Sequence, residues 1–211
     1  MKKTAGILFV AAGLILLGCA GALTLSNVHR QEEAGAASAQ VLAEFREKVE
    51  TQNKTLSADA QPKAEQVVPA AMTDEQIGVK AAVQIDGEVY IGAVQIPSLE
   101  LQLPVIGDWS YDNLEIAPCR YAGSVNSDDL VICGHNYNTH FGRLPELKIG
   151  DEIDFYTADG RLIRYAVGEI ETLEPEDVEY MTDGEWPLTL FTCTWGGQSR
   201  IAVRCEKGIN E

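Results

Sequence analysis

Basic residues are scarce in this sequence, and they form no cluster. The 211 residues include 16 Lys and Arg against 32 Asp and Glu, which gives a formal net charge of -16. Nucleic-acid binding needs a basic patch that neutralises phosphates, so this composition excludes nucleic acid as a partner. Internal repeats are also lacking, which excludes the stacked-repeat architectures. Acidity of this degree favours solubility but by itself names no partner.

Length and hydrophobic content limit the chain to one domain of ordinary size with an appendage. Hydrophobic residues make up 45% of the 211 positions, and a second full domain would be crowded. The composition changes near residue 30 and again near residue 80. We therefore predict three parts: a membrane anchor at 1–30, a helical or flexible stalk at 31–80 and a folded domain at 81–211.

The first part has the pattern of an uncleaved anchor. Lys2 and Lys3 precede an uncharged run from Thr4 to Leu25, and Arg30 follows it. A run of this length spans a bilayer, whereas the apolar core of a cleaved secretory signal is usually ~7–15 residues long. The two lysines favour a cytoplasmic start. The rest of the chain is then expected on the extracellular face of the cell membrane, after a single pass.

A competing interpretation concerns Cys19. The sequence Leu-Leu-Gly-Cys at 16–19 resembles a bacterial lipobox, which would be cleaved before Cys19 so that this residue is lipidated. The residues after Cys19 stay apolar, and Leu17 fits that box poorly, so we prefer the anchor. Both interpretations place the remainder on the outer face of a membrane.

The second part is rich in Ala, Glu, Gln and Lys. Helix formers fill Ala37–Thr51, with Val41, Phe45 and Val49 spaced for one helix face, so we expect a helix there. The polar stretch that follows contains Pro62 and is typical of a linker. We interpret this part as a stalk, and the alternative of an extra helix packed on the domain stays open.

The third part consists of short β-rich runs separated by turns. Tyr156–Gly160 is a hairpin signal between two alternating runs. About seven or eight short strands with one or two helical turns predict an all-β barrel or sandwich. Periodicity alone does not choose between these two.

Three residues in this part suit acyl transfer. In the segment Leu188–Cys205 one alternating run ends at Cys193, a Gly-Gly turn follows, and a second run opens with Arg200. His135 comes just after the apolar run Leu130–Cys133. A thiol, an imidazole and a guanidinium at strand ends can serve as nucleophile, proton shuttle and oxyanion or substrate clamp.

The chemistry assigns one role to each. A thiol with a pKa near 8.5 is mostly protonated at neutral pH, so an imidazole such as His135 is needed to take its proton and return it to the leaving amine. Arg200 stays protonated and offers five donors to a carbonyl oxygen that is becoming negative. The other interpretations are a structural cysteine, a surface histidine and a surface salt bridge of the arginine.

Other residues of the same types are weaker candidates. Cys205 shares a strand face with apolar residues and is predicted to lie in the core, as is Cys133. A disulfide between Cys119 and Cys133 stays open, because the domain has an even number of cysteines. His140 has no strand end beside it, so His135 is preferred.

The pattern resembles the sortase family. The T-L-x-T-C segment at 189–193, the arginine that leads the next strand and the Gly134-His135 pair all match, and the likeness runs from about Tyr90 to Lys207. It includes the opening segment Ile91–Ile106. The resemblance implies a closed eight-stranded β-barrel with one or two short helices, and a catalytic set of His135, Cys193 and Arg200.

The resemblance also implies a reaction and its partners. Cys193 would cleave the Thr–Gly bond of an LPXTG-like sorting signal, form a thioester and pass the acyl group to an amine of a peptidoglycan precursor or a pilin. The alternatives are a membrane-anchored hydrolase with the same three residues, and a non-catalytic β-domain that acts as a surface binding module.

One acidic stretch raises the question of calcium. Residues 171–185 hold seven acidic side chains, and some sortases bind calcium through acids in the corresponding loop. The spacing matches no calcium-loop motif, so we interpret the stretch as a solvated loop and expect no cofactor and no metal.

Overall fold

The computed structural model describes residues 2–58, 82–183 and 185–208. They form three helices, α1 (Lys2–Ala58), α2 (Tyr111–Ile116) and α3 (Val178–Met181), and two 3-10 turns at Pro97–Leu99 and Leu144–Glu146. Their nine strands are β1 (Val83–Ile85), β2 (Glu88–Ile96), β3 (Leu101–Ile106), β4 (Cys119–Ala122), β5 (Leu130–Cys133), β6 (Glu152–Thr157), β7 (Leu162–Leu173), β8 (Leu188–Cys193) and β9 (Arg200–Lys207).

The sheet closes on itself. Its strand order is β1-β2-β3-β4-β5-β8-β9-β7-β6, and β6 pairs back with β2. Eight strands therefore form a ring, and β1 is a short ninth strand on β2. The closed eight-stranded barrel implied by the resemblance is confirmed, and a sandwich is excluded. Gly92 lies at the closure, where a Cβ would collide with the carbonyl oxygen of Tyr156.

Alternation along the strands decides what faces the barrel interior. Leu188 and Leu190 of β8 are fully buried inside, together with Val203 and Cys205 of β9. Side chains of successive strand residues point to opposite faces. Phe191 and Cys193 therefore lie on the outer face of the barrel. The predicted core position of Cys205 is confirmed.

Helix α1 covers part of that outer face. Leu42 and Phe45 are buried against Val83 and Ile85 of β1 and against Ile106 of β3. Each such side chain stabilises the contact by about 1.5–3 kcal/mol when fully buried. The expected helix lies within α1, and its segment 34–49 has the arrangement of the packed extra helix that the sequence left open.

The N-terminal half of α1 has exposed apolar side chains. Leu14, Leu17 and Leu25 are 65%, 71% and 73% exposed. By length and composition α1 is able to cross a membrane, with a mean hydropathy of 1.7 in its most apolar window. The predicted boundary at residue 30 lies within this helix and stays a prediction. The polar linker was predicted from residue 53, and this start is wrong, because residues 53–58 continue α1. The rest of the predicted linker, from residue 59, lies outside the described residues.

Candidate active site

The candidate nucleophile and the candidate clamp are neighbours across two strands. β8 and β9 are antiparallel, and Cys193 and Arg200 are direct partners in their register. Between them the chain reverses through Gly196 and Gly197, whose φ angles of 87° and 73° favour glycine. The amide of Thr194 donates to the carbonyl of Ser199 at 2.9 Å and closes the loop.

The candidate proton shuttle reaches the same place from the other side of β8. β5 runs parallel to β8, with Cys133 opposite Phe191. The pairing continues beyond the strand end, because the amide of Gly134 donates to the carbonyl of Phe191 at 3.0 Å and the Thr192 hydroxyl donates to the carbonyl of Gly134 at 2.9 Å. Extended by two residues, this parallel register would set His135 opposite Cys193.

A groove opens in front of Cys193. It has a volume of ≈ 230 Å³ and is lined also by Cys133 and Arg200. One wall comes from α2 and the chain before it, and the other from α3 and the chain before it. The lining is mainly apolar and aromatic, with Trp109, Tyr111, Leu114, Tyr121, Val178, Met181 and Phe191. A groove with this lining can bury apolar groups of a ligand.

The described cysteines differ in accessibility. All of them are free thiols, so the structure has no bridge between Cys119 and Cys133, which face each other across β4 and β5. Burial raises the pKa of both thiols to about 12 and also raises the pKa of Cys205. A thiolate is the reactive form. Within the barrel domain, Cys193 is therefore the cysteine suited to attack a substrate, since it is partly exposed.

Arg200 is held at the rim of the groove by its own loop. Its Nη1 donates to the carbonyl oxygens of Gly197 and Ser199, both at 3.1 Å. Within the described part of the chain its other guanidinium nitrogens bond no protein group. These nitrogens are free to donate to a ligand beside Cys193.

The two histidines of the domain have different surroundings. The side chain of His135 is 32% exposed. His140 is completely buried, and its Nε2 lies 3.1 Å from the hydroxyl of Ser38 in α1. Burial lowers the pKa of His140 to about 4, so that ring is neutral at physiological pH. The structure therefore leaves the imidazole of His135 partly accessible and buries that of His140.

A family model for the sortase domain matches residues 94–208. This range covers more than half of the chain, and it contains all three candidate residues and both walls of the groove. The chain belongs to the sortase family.

Relatives of this sortase agree with that assignment. It is 28% identical to Sortase A of Bacillus anthracis over 156 residues, which cover 70% of this chain and 74% of that one. It is 23% identical to Sortase D of Bacillus subtilis (strain 168) over 198 residues, which cover 92% of this chain and 89% of that one. The family is one of transpeptidases, so we regard the chain as an enzyme of that kind.

Solved structures share the fold. A Sortase D5 transpeptidase of Clostridium perfringens superposes with a TM-score of 0.58 at 21% identity, covering 82% of this chain and 99% of that one. Sortase C of Streptococcus pneumoniae gives 0.55 at 21% identity, with 81% and 97% covered. At this level of identity the likeness concerns the fold alone.

Arg204 is buried and hydrogen-bonded to the fold in this sortase. It is 1% exposed, and its Nε donates to Oε1 of Glu171 at 2.7 Å. The other nitrogens donate to the carbonyls of Tyr180 and Met181 and to the hydroxyl of Thr189, at 2.8 to 3.2 Å. Arg204 therefore fastens α3, one wall of the groove, to the barrel.

The acidic residues of 171–185 have different surroundings in the structure. Glu171 pairs with the buried arginine described above, and Glu174 and Asp177 line the groove. In the ranges 2–58, 82–183 and 185–208 there is no group of three His, Cys, Asp or Glu residues placed to hold a metal ion.

Sequence reasoning missed several residues of the site. The groove walls depend on Trp109 and Tyr121, whose rings lie 5.6 Å apart, and on Met181. Glu115 and Tyr137, which contact His135, were missed as well. Tyr137 offers one weak signal, since it lies two residues after His135, whereas Glu115 is on a helix of six residues without a recognisable motif.

Proposed function

We propose that this sortase cleaves an LPXTG-like sorting signal and transfers its acyl part to an amine of a peptidoglycan precursor or a pilin. The observation that carries the proposal is the register pairing of Cys193 with Arg200 at the end of an apolar groove. Apolar walls suit the leucine and proline of such a signal. The thiol then meets the peptide bond that follows them.

In the proposed acylation, Sγ of Cys193 attacks the carbonyl carbon of the Thr–Gly bond while His135 takes the thiol proton. The carbonyl oxygen becomes negative and accepts hydrogen bonds from Arg200. The intermediate collapses, the C–N bond breaks, and His135 gives its proton to the leaving glycine amine. A thioester remains on the enzyme.

In the proposed second half of the reaction, the same steps take place in reverse order with a new amine. The acceptor nitrogen attacks the thioester carbon, and His135 takes a proton from it. Arg200 again holds the oxyanion. The C–S bond breaks, and the thiolate of Cys193 recovers its proton from His135. The products are a new amide and the starting enzyme, with no cofactor and no metal in the sequence of steps.

We further propose the setting of this reaction. The exposed apolar part of α1 would cross the cell membrane once, with the short N-terminus inside and the barrel on the extracellular face. The family is membrane-anchored, and the exposed apolar side chains between Leu14 and Val28 are consistent with such a span. The acceptor amine and the signal peptide would both be available there.

The product distribution tests the proposal. The full chain in detergent is incubated with a sorting-signal peptide, with and without an added amine, and the products are identified by mass spectrometry. We expect a thioester on Cys193 and an amide product that depends on the amine. Release of free acid only, unchanged by the amine, would indicate the hydrolase. Absence of any adduct or cleavage would favour the binding module.

A further inference from the structure

The imidazole of His135 is held between a carboxylate and an aromatic ring. Its Nε2 lies 3.3 Å from Oε1 of Glu115, at the end of α2. The ring of Tyr137 stacks on it with centroids 4.2 Å apart and an angle of 5° between the planes. One nitrogen of the imidazole is thus directed at a negative charge, and rotation of the ring is restricted by the stack.

Tyr137 connects the two contacts. Its hydroxyl donates to the other carboxylate oxygen, Oε2 of Glu115, at 3.0 Å. The residue is 6% exposed, and its carbonyl accepts the amides of His140 and Gly142, both at 2.9 Å. A buried side chain on a bonded backbone has little freedom. Tyr137 therefore aims the carboxylate and flanks the imidazole at the same time.

The helix that carries Glu115 is secured at both ends. At its start the side chain of Ser110 caps the amide of Asn113 at 3.0 Å. At its end the hydroxyl of Ser38, from α1, donates to the carbonyl of Ile116 at 2.5 Å. A short helix held in this way presents its last carboxylate in one place, which is a requirement for orienting another group.

We propose that Glu115, aimed by Tyr137, is a positioning residue for His135. The inference rests on the proposed role of His135 as proton shuttle. A carboxylate at Nε2 keeps a proton on that nitrogen, and the lone pair is then on Nδ1, the nitrogen left for the thiol of Cys193. The same negative charge stabilises the imidazolium that forms when the thiol proton is taken.

Partial exposure limits the size of the effect. The side chain of Glu115 is 50% exposed, and water screens a charge at such a position. Loss of a buried triad carboxylate costs about 10⁴-fold in kcat, so for Glu115→Gln we expect a loss of roughly tenfold to a hundredfold in kcat. KM should change by less than about twofold, because Glu115 is outside the groove lining.

The kinetic experiment uses three variants of the full chain in detergent. Glu115→Gln removes the charge, and Tyr137→Phe removes the hydroxyl but retains the ring stack, so its loss in kcat should be smaller. The matched control is Asp112→Asn, which removes one charge from the first turn of the same helix and should leave kcat near the wild-type value. Thermal transitions establish that each variant is folded.

A second measurement does not depend on activity. The ¹⁵N chemical shifts of the imidazoles report which nitrogen carries the proton, and the chain has only three histidines. At a pH where His135 is neutral, we expect the Nε2–H form in the wild type and in Asp112→Asn. In Glu115→Gln we expect a mixture of both tautomers.

Two results would overturn this inference. One is a Glu115→Gln enzyme with wild-type kcat, and the other is an unchanged tautomer of His135. If Glu115→Gln does not fold, Tyr137→Phe decides instead. A lower kcat with constant KM in this variant would support the inference, whereas wild-type kcat or an unchanged tautomer would overturn it. Turnover by a His135→Ala enzyme would instead refute the proposed role of His135 as proton shuttle, and the tautomer shifts of the wild type would still report on the contact between Glu115 and His135.

Discussion

The two ends of the β8–β9 ladder each hold a cysteine and an arginine, and the structure treats them in opposite ways. At one end Cys193 pairs with Arg200, on the outer face beside the groove. Towards the other end Cys205 is buried inside the barrel, and Arg204 is buried under α3 with four hydrogen bonds to four residues.

The difference teaches that the partners of a side chain, and not its type or its strand, decide its role. The guanidinium of Arg204 is hydrogen-bonded to groups of the fold, whereas Arg200 donates to its own loop with one nitrogen and has the others available. The thiol of Cys205 is surrounded by apolar side chains, whereas the thiol of Cys193 is at the wall of the groove. Four predictions test this comparison.

The largest effect should come from exchanging the cysteines for alanine. Cys193→Ala should lower peptide turnover by on the order of 10⁴-fold or more, as when a nucleophile is removed, with little change in stability. Cys205→Ala should retain turnover and lose roughly 1 kcal/mol of unfolding free energy from core packing. Turnover and thermal unfolding of both variants are the measurements. A covalent acyl adduct in Cys193→Ala would move the nucleophile to another cysteine.

Alkylation should show the same contrast in the native protein. Only a thiolate reacts, and burial raises the pKa of Cys205 and removes it from solvent. We expect iodoacetamide to label Cys193 at least ~10³ times faster than Cys205 in the folded chain, and both equally in denaturant. Peptide mapping by mass spectrometry gives the two rates. Comparable labelling of both in the folded chain would remove the distinction.

The arginines should separate activity from stability. Arg200→Ala should lower turnover by ~10²-fold or more, the size expected for one lost oxyanion donor, and leave the thermal transition nearly unchanged. Arg204→Ala should cost ~3–5 kcal/mol of unfolding free energy, because Glu171 would keep a mostly buried charge without its partner. Its turnover, measured well below its transition, should fall far less. A larger loss of turnover at Arg204 would reverse the assignment.

The smallest effect should come from Arg200→Lys. Lysine keeps the positive charge but lacks the planar fork of the guanidinium, so we expect turnover about tenfold below the wild type, between wild type and Arg200→Ala. Steady-state kinetics with the same peptide compare the three enzymes. Equality of Arg200→Lys with the wild type would mean that charge alone is sufficient at this position.

Much of the barrel's local structure could be predicted because it depends on short-range periodicity. Alternation along β9 places Cys205 inside the barrel, and the loop through Gly196 and Gly197 brings Cys193 and Arg200 together. The resemblance to sortases supplied the closed barrel, which alternation does not distinguish from a sandwich. The closure itself, the pairing of β2 with β6, joins strands about 60 residues apart and has no local signal.

The sequence by itself thus determined the anchor pattern and the strands, because each depends on neighbours along the chain. Together with the resemblance to sortases it also predicted the three candidate residues. Only the tertiary structure decided that α1 packs on the barrel through Phe45, that Arg204 fastens α3, and that Glu115 meets His135. These contacts join residues between 20 and about 60 positions apart. They form only once strand register and helix docking are set, and no periodicity in the sequence encodes either.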